Sequence, residues 1–318
     1  MAPFRFAMQV SKADSAGAWK AMARQVEDLG YSTLYVADHM DDQWAPLIAL
    51  TVAAEATTTL RVGTLVLDND FRHPTVLAKE AATMDVVTGG RFELGMGAGW
   101  ARVDYEQSGI AMESPGVRVA KLGESLEIMR SLWGESSTTF DGQYYQVHEA
   151  KGTPRPVTKG GPPLVIGGGS KHILTLAGRF ADTVGIMPSL SFGAFGAEVA
   201  AEAVVDKYVD RIAWAKAGAG DRADELEFQC WTAVVQVLPD EGASSNAANA
   251  TKVHEGLASM FGLVPDQVRA MPLALIGTVG DIVETLQQRR ESMGFSCIVV
   301  HEAEMEAFAP VVAQLVGI

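Results

Sequence analysis

The chain is 318 residues long, with 48% hydrophobic and 20% charged residues and a formal charge of −14 at pH 7. That apolar fraction supplies a large core and excludes whole-chain disorder. With 25 basic against 39 acidic side chains it is a poor binder of nucleic acid or anionic membranes. An anionic small ligand held locally by backbone N–H groups remains compatible.

Phe4–Val10 reads as a strand, and Asp14 or Ser15 caps a helix running to about Leu29, with Gly30 as its stop. Thr33–Val36 is a second strand, followed by helix Pro46–Ala56, strand Leu60–Leu67 and helix His73–Val87. Phe92–Met96 and helix Val117–Trp133 come next. Leu164–Ile166, Thr183–Ile186, Phe228–Val237 and Ser296–Val300 are the remaining strands. They are followed by helices at about Ile173–Phe180, Glu198–Ala217, Gly280–Met293 and Glu304–Val316. Thr278 and Asp281 have the spacing of a helix-opening capping box.

Eight strands alternating with about eight helices argue for a parallel sheet with crossover helices. In this length they fit one (β/α)8 barrel domain over 1–318, with its active site at the C-terminal strand ends. A doubly wound open sheet competes, and periodicity does not separate the two. Two insertions, near 138–150 and 188–265, interrupt the alternation. The first, TTFDGQYYQV, reads as a hairpin turning at Asp141–Gly142. The second holds irregular or locally helical stretches at Leu190–Gly196 and Asp240–Pro265. Both are expected at the C-terminal mouth.

Cys230 and Cys297 make no CxxC or Cys/His spacing, and His148, His172, His254 and His301 make no ligand set, so no metal is expected. Cys297, inside an apolar strand, reads as an inert buried thiol. The N-terminal MAPFRFAMQVSK has too short an apolar run for a signal peptide, and no stretch approaches the ~20 apolar residues of a membrane helix. The expectation is a cytoplasmic protein.

Four motifs carry the chemistry. VADH, Val36–His39, places Asp38 and His39 at the rim, where an imidazole exchanges a proton or binds a ligand; the alternative is a local Asp38–His39 pair. GTLVLDNDFRHP, Gly63–Pro74, runs from a strand through Asp68, Asn69 and Asp70 into a helix start, which is also the form of an ordinary βα loop. In GGRFELGMGAGW, Gly95, Gly97 and Gly99 strip one strand face of Cβ atoms, so that a flat ring or a backbone approaches closely. GGGSK, Gly167–Lys171, joins a strand to a helix; its glycines and Ser170 form an anion cradle, with Lys171 adding charge. Trp44 and Trp100 follow rim motifs and are pocket-wall candidates. Trp19, Trp133, Trp214 and Trp231 read as packing, and Glu106 and Glu113 as loop residues. His301 reads as a rim histidine with a local hydrogen bond.

As a set, LYVADH, LRVGTLVLDNDFRHP, DVVTGGRFELGMGAGW, FDGQYYQV, PPLVIGGGSKHILTLAGRFADTVGI and IGTVGDIVETL resemble the luciferase-like monooxygenase superfamily. Within it they are most similar to the deazaflavin (coenzyme F420)-dependent oxidoreductases. The resemblance implies a (β/α)8 barrel and His39 near the reactive edge of the deazaflavin. It implies a cis peptide at Leu65–Val66 behind the ring and Asp68 at its polar edge. Gly97, Ala98 and Gly99 would lie along the cofactor, and Gly167, Gly168, Gly169 and Ser170 would hold its phosphate. Asp38 would orient His39 or anchor the strand end. Sugar-phosphate dehydrogenases of the family carry a glutamate where Trp100 stands. That departure favours a more apolar substrate pocket, with Trp44 and Trp100 in its wall. The implied activity is hydride transfer between F420 and a small organic substrate, in a homodimer. The alternatives are an FMN-dependent monooxygenase served by a flavin reductase, and a cofactor-binding protein without turnover.

Overall fold

The computed structural model describes residues 2–134, 136–190 and 197–318. Part of the expected Leu190–Gly196 insertion therefore lies outside the described residues. The barrel strands are β1 (Arg5–Val10), β2 (Thr33–Val36), β3 (Arg61–Thr64), β4 (Phe92–Gly97), β5 (Leu164–Gly168), β6 (Thr183–Ile186), β7 (Glu227–Trp231) and β8 (Phe295–His301). Each pairs in parallel with its neighbour. β8 returns to β1 through Arg5↔Cys297 to Gln9↔His301, and Val62↔Phe92 joins β3 to β4. The sheet is thus a closed barrel, not the open doubly wound alternative.

The helices are α1 (Ala16–Asp28), α2 (Pro46–Ala56), α3 (Pro74–Val87), α4 (Arg102–Ser108), α5 (Pro115–Trp133), α6 (Lys171–Phe180), α7 (Ala197–Glu202), α8 (Val205–Ala219), α9 (Ala243–Phe261), α10 (Pro265–Ala270), α11 (Val279–Met293) and α12 (Met305–Leu315). Local chemistry sets several ends. Ser15 caps α1 by accepting from Ala18 N at 3.1 Å, and Gly30 takes a left-handed φ of 84°. Thr278 and Asp281 close the expected capping box on α11.

The N-terminal strand ends are plugged by charge. Arg5 bridges Glu93 at 2.8 Å and Glu227 at 2.5 Å, Arg61 reaches Glu93 at 2.6 Å, and the Tyr35 hydroxyl donates to Glu93. Burial opposes the Glu93 charge, but Arg5 and Arg61 hold its carboxyl below the usual range. This end of the barrel is closed, so a ligand enters from the other.

Several expectations change. Phe228–Val237 is two strands: the chain leaves the barrel at Thr232, whose hydroxyl donates to Val299 O at 2.7 Å, and Val234–Val237 pairs outside it with Ala274–Gly277. Glu198–Ala217 is the pair α7 and α8. Asp240–Pro265 is mostly the regular α9; its Ser, Asn and Thr content gives weak helix propensity and hides it in the sequence. The 138–150 hairpin exists as Thr138–Asp141 against Gln146–Ala150 but lines none of the mouth. Its tip is held on the outside of α5, where Glu124 accepts from the backbone of Gln143, Tyr144 and Tyr145.

The expected Leu60–Leu67 strand breaks after Thr64. The Leu65–Val66 peptide is cis, as the resemblance implies, and Leu67–Asp68 resumes pairing with Met96 and Gly97. This path runs tight against β4. A Cβ on Gly95 would stand 1.8 Å from the Thr64 carbonyl oxygen. Thr64 Oγ1 also accepts from Gly95 N at 2.8 Å and donates to Gly95 O at 2.9 Å. Gly95→Ala should therefore destabilise the fold by ~3 kcal/mol or more, read as a lower urea midpoint. An unchanged midpoint would mean that the two segments are not in this contact.

Candidate active site

The C-terminal strand ends open into a cavity of about 610 Å³, a size suited to a small-molecule or cofactor site. Of the expected site residues, Asp38, His39, Leu65, Val66, Asp68, Gly97, Ala98, Gly99, Trp100, Gly167, Gly168, Gly169 and Ser170 all border it. Trp44 does not. It packs on Trp19 with ring centroids 5.3 Å apart, while Trp231, expected only to pack, is a cavity wall.

His39 is set by a residue the sequence reading missed. Its Nδ1 lies 2.7 Å from Asp104 Oδ2, and Asp104 Oδ1 accepts from Met40 N at 3.0 Å. A carboxylate accepts, so Nδ1 donates and Nε2 is the ring nitrogen left for exchange. Trp100 meets the imidazole edge-on, with centroids 5.7 Å apart. Asp104 is 4% exposed and lies on α4, a short helix with no distinct apolar period. Asp38, expected either to orient His39 or to anchor the strand end, takes the second role. It binds Arg72 in a fork at 2.5 and 3.0 Å and accepts from Asp68 N at 3.1 Å, so it anchors the strand end.

Asp68 is the strained charge of the site. Tyr105 Oη donates to it at 3.2 Å and to Asp70 at 3.1 Å, and Asp70 has Lys121 at 3.3 Å, but no cation lies within 4 Å of Asp68 among the described residues. Burial, with the Asp70 and Asp38 carboxylates beside it, pushes the Asp68 carboxyl up to about 6.

The glycines divide into two kinds. The spaces beside Gly97, at the end of β4, and Gly99, just after it, are filled by the protein itself. A Cβ on Gly97 would meet Val66 Cγ2 at 2.6 Å, and one on Gly99, at a φ of 75°, would meet Tyr105 Oη at 2.0 Å. Their bare face admits the neighbouring chain segment. Gly167 differs: a Cβ there would touch only Val66 Cγ1, at 3.8 Å, and would otherwise occupy the cavity. Buried Arg118 fixes the rim turn, donating to Ala98 O at 2.9 Å and Gly99 O at 3.3 Å.

The GGGSK turn has the polarity of an anion cradle. Gly168 O accepts from Met187 N and Gly169 O from Arg211 Nε, each at 3.0 Å. In a trans peptide the following N–H points the opposite way, so the Gly169 and Ser170 amides face away from those donors. Neither amide has a protein acceptor among the described residues, and the Ser170 hydroxyl does not cap α6. Lys171 is exposed and outside the cavity lining. His301 is held by Thr232 O at 2.7 Å, and burial pushes the thiols of Cys230 and Cys297 up to about 12. Among the described residues no cluster could hold a metal ion, and no helix is long and apolar enough to cross a membrane.

A family model described as luciferase-like monooxygenase matches residues 1–297. The chain belongs to the luciferase-like monooxygenase family. It is 32% identical over 204 residues to the F420-dependent glucose-6-phosphate dehydrogenase of Amycolatopsis mediterranei (strain U-32), covering 57% of this chain and 60% of that protein. It is 33% identical over 177 residues to the 4-hydroxyprotoasukamycin monooxygenase of Streptomyces nodosus subsp. asukaensis, covering 54% and 46%. The matches thus span about half the length of these curated relatives. The coenzyme F420 dependent tetrahydromethanopterin reductase of Methanopyrus kandleri has the same luciferase-like fold, with a TM-score of 0.75 at 18% identity over 99% of each chain.

Asp68 gives the site a pH signature. The unfolded chain ionises this group from about pH 4, while the folded chain keeps the proton until about 6. The group therefore takes stability away as pH rises through that window, and the loss is constant above it. Asp68→Asn removes the loss. Its stability relative to wild type should rise by about 2 kcal/mol between pH 4 and pH 7 in urea unfolding. A pH-independent difference would contradict the raised carboxyl.

Proposed function

We propose that this protein is an F420-dependent oxidoreductase that moves a hydride between the deazaflavin and a small organic substrate. The observation that carries the reading is the presence, in one cavity, of an oriented histidine and a phosphate-type cradle. The side-chain-free Gly167 wall fits a flat ring, and the open amides of Gly169 and Ser170 with the Ser170 hydroxyl fit a phosphate. Val66 and Asp68 would border the ring, and Trp100 and Trp231 would wall the substrate. The F420-dependent dehydrogenase among the relatives supports this choice of cofactor.

Bound F420 supplies two-electron hydride chemistry. The chain supplies placement and proton handling. His39 Nε2 takes up or returns the proton that accompanies hydride loss or gain at the substrate. Asp104 fixes the ring tautomer and orientation through Nδ1. Asp68, which holds its proton below about pH 6, can donate a hydrogen bond to an acceptor on the ring edge.

An FMN-dependent monooxygenase is the second reading, favoured by the relative that is itself a monooxygenase. Both cofactors would use the same seat.

The experiment starts from a screen of small alcohols, aldehydes and enones with oxidised and reduced F420. On the first substrate found, His39→Ala should lower kcat by about 10²-fold or more with cofactor Kd changed only a few-fold. Asp104→Asn should lower kcat by about tenfold with cofactor Kd changed only a few-fold, because the imidazole loses the carboxylate that orients it. Unchanged turnover in His39→Ala would end the proton-transfer assignment.

A further inference from the structure

Arg211 is 2% exposed and lies on α8, outside the cavity lining. A buried guanidinium needs partners, and it has three. Nε donates to Gly169 O at 3.0 Å, Nη1 to Glu202 O at 2.6 Å, and Nη2 to Glu202 Oε2 at 2.6 Å. Its planar fork therefore ties the glycine turn after β5 to the last residue of α7. The Tyr208 ring lies 5.7 Å from its central carbon. On the other side of the turn, a Cβ on Gly169 would stand 2.4 Å from Pro188 O, so residues 187–188 pack directly on it.

The consequence lies in the direction of one peptide. The Gly169–Ser170 bond is trans, so a carbonyl drawn to Arg211 turns the Ser170 N–H the opposite way. Glycine at 169 places little steric restraint on that peptide. Released from Arg211, it is free to rotate and present its carbonyl oxygen where the N–H now stands. An acceptor aimed at an anion repels it. We infer that Arg211 is a positioning residue that never touches the cofactor but holds the Gly169–Ser170 peptide in the one orientation that binds a phosphate. Glu202 is its anchor, so the end of α7 is part of the phosphate site. The inference rests on the cofactor seat proposed above.

The test compares ligands that differ by the phosphate-bearing arm: F420 against its phosphate-free deazaflavin core, and FMN against riboflavin, by fluorescence titration. Wild type should prefer the phosphorylated member of the pair it binds. Arg211→Met should weaken that member by about tenfold and leave the phosphate-free core within about twofold. Arg211→Lys keeps a donor for Gly169 O and should recover part of the loss. Should Arg211→Met fail to fold, Glu202→Gln should weaken the same member by about threefold and spare the core. Equal loss for both members, or no loss for either, overturns the role of Arg211. A wild type that binds both members equally overturns the phosphate seat itself, a different result from the first.

Discussion

The site depends on a missing Cβ atom. At Gly95 the β4 backbone approaches the Thr64 carbonyl so closely that no side chain fits, and Thr64 locks the contact with two hydrogen bonds. This lets the segment after β3 turn inward. Val66 then fills the space that Gly97 leaves, and Asp68 reaches the space that Gly99 leaves. The alternating glycines and the polar turn, two separate motifs in the sequence, are halves of one packing solution.

Charge around the cavity is arranged so that one group titrates under tension. Asp38 is spent on Arg72 and Asp70 on Lys121, while Asp104 serves His39. Asp68 is left with hydrogen bonds and no cation within 4 Å among the described residues, which is why burial dominates it. Two buried arginines serve the cavity differently. Arg118 and Arg211 bind backbone carbonyls of the two glycine turns, at Ala98–Gly99 and at Gly169, and so shape backbone, with Arg211 also paired to Glu202.

The barrel was legible because each strand is a short apolar run between turn signals, with caps such as Ser15 and the Thr278–Asp281 box where the periodicity predicts them. His39, Asp68 and Gly167–Ser170 were legible because they follow strand ends, where a barrel places its chemistry. Asp104 was not, because it sits on a seven-residue helix whose sequence, RVDYEQS, has no clear face, and its contact with His39 spans 65 positions. Arg211 was hidden for the same reason: it meets Gly169 across 42 positions. Trp44 and Trp231 were exchanged because closeness to a rim motif in sequence is not closeness to the cavity. Trp44 turns back onto Trp19, whereas Trp231 ends a strand and hydrogen-bonds Gln9 at 2.6 Å on the cavity wall. Local pattern reads elements and strand ends, while the partners that set protonation and peptide direction are tertiary.

The proposed function makes this cavity a deazaflavin seat. The most direct measurement is equilibrium titration of the purified apoprotein with F420 and with FMN in parallel. Binding of F420 at least about tenfold tighter than FMN, a difference of about 1.4 kcal/mol, is the result the account predicts. Tighter binding of FMN would contradict it and turn the same cavity over to oxygen-using flavin chemistry.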